Sequence, residues 1–130
     1  MTSTERRWQP ITLPGVKPPV GAYSPALRAG NLVFISGQVP RDLDSGALVG
    51  SDVAEQTRQV LRNVERTLAA AGAGLADVVS VTVYLSDILE WDTFNDVYKT
   101  VFSPPYPTRT ALGAGLHGFL VEISCIAYLP

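Results

Sequence analysis

A chain of 130 residues has room for one domain, and its 46% hydrophobic content lets that domain bury a core. Only 17% of residues are charged and the formal net charge is −2, so there is no broad basic field for phosphate backbones and a nucleic-acid partner is disfavoured. The single cysteine, Cys125, excludes an intrachain disulfide framework, and no stretch approaches the ~20 apolar residues of a membrane span, so a cytoplasmic chain with no membrane partner is expected.

Met1 to Gln9 is polar, carries Arg6 and Arg7, and lacks the apolar run of a secretory signal. One domain over 1–130 is expected, with 1–8 as a flexible N-terminus. Gln9 to Leu13 is a candidate edge strand. Pro25 to Arg28 and Leu32 to Ser36 read as a hairpin around the turn pair Gly30-Asn31. Asp42 to Gly46 is turn chemistry. From Asp52 the period changes: Val53, Thr57, Val60, Leu61, Val64, Leu68 and Ala71 recur at helical spacing. Asp52 with Glu55 gives a capping signal, and Gly72 is placed to end the helix in the left-handed region.

Val78 to Leu85 alternates, with Val79, Val81, Val83 and Leu85 predicted on one face. A second helix starts near Ile88 behind Asp87 and Glu90; Trp91, Phe94, Val97, Tyr98 and Val101 form its stripe, and Pro104-Pro105 stops it. Two strands follow, Thr108 to Gly113 and Leu120 to Leu129. The order predicts an α+β fold, one mixed sheet of five or six strands under two helices. Two helices cover only one sheet face, yet the last strand is apolar on both sides, so the second face is predicted to pack against other copies of the chain.

Glu122 is the most informative residue, a carboxylate inside the nearly uncharged Leu120 to Ala127. It reads equally as a buried ion pair or water-facing edge position, or as a catalytic acid. Arg109 opens an apolar strand, where its rigid fork suits a small carboxylate; the plainer readings are a strand-end arginine in solvent or a partner of Glu122. Tyr23, Ser24 and Ser36 offer hydroxyls near glycine but stand in ordinary turn sequences, and Asn95 reads as a solvent-facing helix residue. With one histidine, His117, and one cysteine, neither a zinc site nor a catalytic triad has the ligands or spacing. Cys125 reads as a core residue, and Gly113 to Gly118 lacks the context of a phosphate loop.

Several segments, in this order and spacing, resemble the RidA (reactive intermediate deaminase, YjgF) family: Gly21 to Ala26, Gly30 to Pro40, Gln56 to Gln59 with Leu61, Asn63 and Val64, Ala70 to Gly72, Phe94 to Tyr98, Pro107 to Arg109 and Val121 to Ile123. The resemblance runs from about Lys17 to Ala127. It implies a chorismate-mutase-like fold and a homotrimer with sites in the clefts between subunits. It also implies hydrolysis of 2-aminoacrylate-type enamines and their 2-imino acid tautomers to 2-keto acids and ammonia, with no cofactor and no metal. On this reading Arg109 grips the substrate carboxylate and Glu122 activates water or supplies a proton. Tyr23, Ser36, Gly37, Asn95 and Ala111 match positions that bind substrate or support the pocket.

The chain departs from the family pattern at Ala111, where relatives often have cysteine, at Leu116-His117 in a shorter loop, and at Ser124 in place of a second glutamate. These leave the clamp intact and bear on substrate range. Two rivals remain: a related deaminase for a different imine in a catabolic pathway, and a non-catalytic trimer that binds 2-keto acids.

Overall fold

The structure, a computed structural model, describes residues 7–130. The expected flexible segment 1–8 therefore lies mostly outside the described residues. Six strands and two helices follow in the order β1 (Gln9–Ile11), β2 (Ala26–Ala29), β3 (Leu32–Gln38), α1 (Val53–Ala70), β4 (Val78–Leu85), α2 (Trp91–Val101), β5 (Thr108–Gly113) and β6 (Val121–Tyr128). One mixed sheet runs β1-β2-β3-β6-β4-β5, antiparallel except for the parallel pair β4 and β5. A parallel pair needs a crossover, and α2 supplies it. The expected α+β architecture holds, with the strand count at six.

Helix α1 begins where Asp52 accepts a hydrogen bond from the Glu55 N–H at 2.8 Å, satisfying a donor that the first turn leaves free. It ends as Gly72 turns to φ +79°, Gly72 N–H donating to the Ala69 carbonyl at 3.0 Å and Ala73 N–H to that of Leu68 at 2.9 Å. Between these ends Val60, Leu61, Val64 and Leu68 meet Val33, Ile35, Val83, Ile123 and Ala127 from the sheet, all buried. Buried polar residues fix the helix laterally: Asn63 donates to the carbonyls of Val39 (3.0 Å) and Arg41 (2.7 Å), holding the loop that follows β3.

Two irregularities depart from strict alternation. Val79, expected among the core-facing valines, is 44% exposed because the register of β4 against β6 shifts between Val78 and Ser80, and Val78 takes the buried place. Strand β3 also runs past Ser36. Ile35 pairs with Cys125 and Gln38 with Ile123, so Ser36 and Gly37 together oppose Ser124. This bulge lies beside Glu122.

The sheet face away from the helices carries Leu32, Phe34 and Tyr128, at 38%, 37% and 47% exposure, with Leu112 on the β5 edge. Leu32 pairs with Tyr128 and Phe34 with Ile126, so the apolar residues form a contiguous patch. The second apolar face expected from the sequence is present.

Candidate active site

Arg109 stands on the helix-facing side of β5, in register with buried Val81 of β4. Trp91, Phe94, Asn95 and Tyr98 recur on α2 at helical spacing and so project from one face toward it. The guanidinium carbon lies 4.6 Å from the Tyr98 ring centroid, 5.2 Å from that of Trp91 and 5.9 Å from that of Phe94. Its Nη1 donates to Asn95 Oδ1 at 2.8 Å. Each aromatic face offers about 0.5–2 kcal/mol of cation–π attraction, and the charged hydrogen bond about 1.5–3 kcal/mol, which offset the cost of half-burying the cation. Arg109 is thus neither a strand-end side chain in solvent nor a partner of Glu122. Asn95, expected to face solvent, is half-buried and occupied by Arg109.

The guanidinium borders a groove of about 350 Å³ lined by Asn95, Tyr98, Lys99, Tyr106, Pro107 and Arg109. The Tyr98 hydroxyl is buried without a hydrogen-bond partner, and burial raises its pKa against the opposing pull of Arg109. Among the described residues the ion pairs are Arg66 with Asp44 and Lys99 with Asp96, and none of their carboxylates neutralises Arg109. Ala111 lies two residues on, half-buried beside Val83, where its small side chain adds little bulk on the face that carries Arg109.

Glu122 takes the other side of the sheet, between the buried Val121 and Ile123. It is half-buried, and loss of solvent raises its pKa. Its side chain lies against Gly37, where an added Cβ would stand 2.9 Å from the Glu122 carboxyl carbon and 3.2 Å from its Cγ. Ser36 donates through Oγ to the Ser24 carbonyl at 2.6 Å, tying the bulge to the strap that carries Tyr23. Tyr23, 59% exposed, and Gly37 border a separate cleft of about 410 Å³ beneath that strap, walled by Leu13, Val16, Val39 and Leu43.

The site residues therefore fall into two groups: Arg109, Asn95 and Ala111 on the helix side, and Tyr23, Ser36, Gly37 and Glu122 at the bulge. Arg109 aligns with Val81 and Glu122 with Tyr84, two strands and three residues apart, so their Cα atoms are separated by about 14 Å. Their side chains point away from one another through the sheet. Trp91, Tyr98 and Tyr106 were not singled out by sequence as site residues; the α2 stripe read only as core. His117 is exposed in a loop, as expected.

Residues 15–129 match the family model for endoribonuclease L-PSP. The chain belongs to this family, the RidA/YjgF group. Among its L-PSP relatives, a RutC family protein of Pyrococcus horikoshii is 45% identical over 112 residues, covering 85% of this chain and 89% of that one. The 2-iminobutanoate/2-iminopropanoate deaminase of Homo sapiens is 39% identical over 110 residues, 83% of this chain and 80% of its own. Of solved L-PSP family structures, E. coli TdcF with bound serine superposes with a TM-score of 0.85 at 31% identity, covering 94% of this chain and 99% of that one. RidA from an Antarctic Psychrobacter gives 0.85 at 36% identity, over 93% and 99%.

Proposed function

We propose that this chain is a cofactor-independent deaminase, cytoplasmic and trimeric, that hydrolyses the C=N bond of small 2-imino acids formed from 2-aminoacrylate-type enamines. The observation that carries the reading is the guanidinium of Arg109, held by Asn95 and three aromatic rings at the wall of a groove, with no ion-pair partner among the described residues. Such a fixed, half-dehydrated fork suits a small planar carboxylate. A relative whose solved structure holds serine, itself an α-carboxylate, and relatives named as imine deaminases support the same reading.

The chemistry asks little beyond placement. With the carboxylate on Arg109, the adjacent imine carbon is the electrophile. Water adds to the imine, protonated on nitrogen from solvent, as Glu122 accepts one water proton, giving a carbinolamine. Glu122 then passes its proton to the nitrogen, the C–N bond breaks, the hydroxyl proton leaves, and a 2-keto acid and ammonia are released. Holding water and acid in place contributes about 10²–10⁴-fold through proton transfer. Burial raises the Glu122 pKa, which suits a group that must give the proton back.

Arg109 and Glu122 of one chain point away from each other. The proposal therefore pairs Arg109 of one copy with Glu122 of the next, across an interface that uses the apolar sheet face. The nuclease activity in the family's name finds no support in a net charge of −2 and one loop histidine. The test couples a serine or threonine dehydratase, which generates the imine, to semicarbazide, which traps it. Wild-type protein should outcompete the trap, and Arg109→Ala should abolish that competition while leaving the oligomer intact. Failure with every small imine sinks the deaminase reading; binding of 2-keto acids without competition would indicate a binding protein instead. The small Ala111 beside the clamp favours a second substrate set, imines with bulkier side chains, for which an amino-acid oxidase supplies the substrate in the same assay.

A further inference from the structure

We propose that the Ser36-Gly37 bulge is a built seat for the Glu122 carboxyl group, so that Ser36 and Gly37 act as positioning residues and do not themselves grip substrate. The inference deepens the deaminase reading and rests on its assignment of Glu122 to water and proton handling.

Three observations carry it. In the β3–β6 register two residues, Ser36 and Gly37, stand against Ser124 alone, which turns Gly37 onto the face that Glu122 occupies. The absence of a side chain at Gly37 is required by its neighbour, because a Cβ would come within 2.9 Å of the carboxyl carbon and closer still to an oxygen. Gly37 has no positive φ, so this space, not backbone freedom, is what glycine supplies. Every polar group of the bulge that has a partner is tied inward. Ser36 Oγ donates to the Ser24 carbonyl at 2.6 Å, Ser36 N–H to that of Pro25 at 3.0 Å, and Gln38 Nε2 to the Ser36 carbonyl at 3.0 Å. The loop beyond is held by Asn63. A hydroxyl already committed at 2.6 Å is poorly placed to bind a ligand as well. On the other flank the residue opposite Glu122 is Tyr84 of β4, and neither Ser36, Gly37 nor Gln38 carries a charge that would fix the carboxylate electrostatically. Shape holds it.

The test substitutes Gly37→Ala and Ser36→Ala in the oligomeric protein and reads two quantities. Steady-state kinetics on the imine should show kcat falling by at least about tenfold for Gly37→Ala and severalfold for Ser36→Ala, with KM within about threefold in both. Substrate-binding roles would instead raise KM and spare kcat. Carboxyl ¹³C resonances of labelled glutamate, with Glu122 assigned by its loss in Glu122→Gln, should show Gly37→Ala moving its titration down toward the ordinary range, as the methyl pushes the group outward into water. Shortening the acid should relieve the clash: Gly37→Ala/Glu122→Asp should exceed Gly37→Ala alone in kcat. An unchanged Glu122 titration in Gly37→Ala, or a double variant whose losses simply multiply, overturns the seat. If the titration moves but the wild-type protein hydrolyses no imine, the seat stands and the deaminase reading fails.

Discussion

Asn95→Asp is the smallest change that would disable the clamp. It exchanges an amide for a carboxylate of nearly the same shape and leaves the 2.8 Å contact with Arg109 Nη1 available. The guanidinium then arrives at the groove already paired. An incoming carboxylate on the free side of the fork would stand about 5.5 Å from the new one. Their repulsion is about 3 kcal/mol at an effective dielectric of about 20 and about 0.8 kcal/mol in bulk water. Asn95 and Arg109 are both half-buried, so the cost lies between these limits, and KM should rise by about 4-fold to about 150-fold. The fold should not suffer, because the new ion pair replaces a neutral hydrogen bond. The assay is competition with semicarbazide over a range of imine fluxes, alongside thermal unfolding. Added salt should recover part of the loss by screening. A variant with wild-type KM and unchanged salt dependence would show that substrate does not bind at Arg109.

Other predictions follow from packing and charge. Asp52→Ala removes the α1 cap and should cost about 1 kcal/mol, lowering Tm by about 3–5 °C in thermal unfolding. Cys125 is buried, which pushes its thiol pKa up to about 12, so Ellman's reagent should label it only after denaturation; rapid labelling of native protein at pH 8 would contradict the packing. Arg66 hydrogen-bonds Asp44 and holds its pKa below the ordinary 3.8. The stability this gives is present above pH 3.8 and lost as pH falls through the lowered value. Asp44→Asn should therefore lower Tm slightly at pH 7, where the exposed pair contributes weakly, and flatten the fall of Tm between about pH 4 and pH 2 by that same small amount, so that the two proteins converge at the acid end.

The parts of the fold that sequence made legible are those with a long, regular period. Helix α1 could be read from its cap at Asp52 to its stop at Gly72, since each signal is local. The two bulges could not, because a bulge is a relation between strands: nothing near Val79 announces that β4 slips against β6 there, nor that Ser36 and Gly37 share one partner. Asn95 was misread for a similar reason. Its partner lies 14 residues on, across the β4–α2–β5 crossover, and a polar residue on a helix defaults to solvent until the opposing strand is known. Arg109 and Glu122 stood out as charges in apolar strands. Their placement on opposite faces depended on β5 lying parallel to β4 at the sheet edge, which no local pattern encodes.

Subunit mixing tests the central claim most directly. Arg109→Ala and Glu122→Gln are each expected to be inactive. If a site draws Arg109 from one copy and Glu122 from another, random reassembly of equal amounts should restore about a quarter of the wild-type sites, because each site independently needs one intact donor of each kind. Imine competition at about that level in the mixture is the predicted result. A mixture no more active than its separate components would contradict a site shared between subunits.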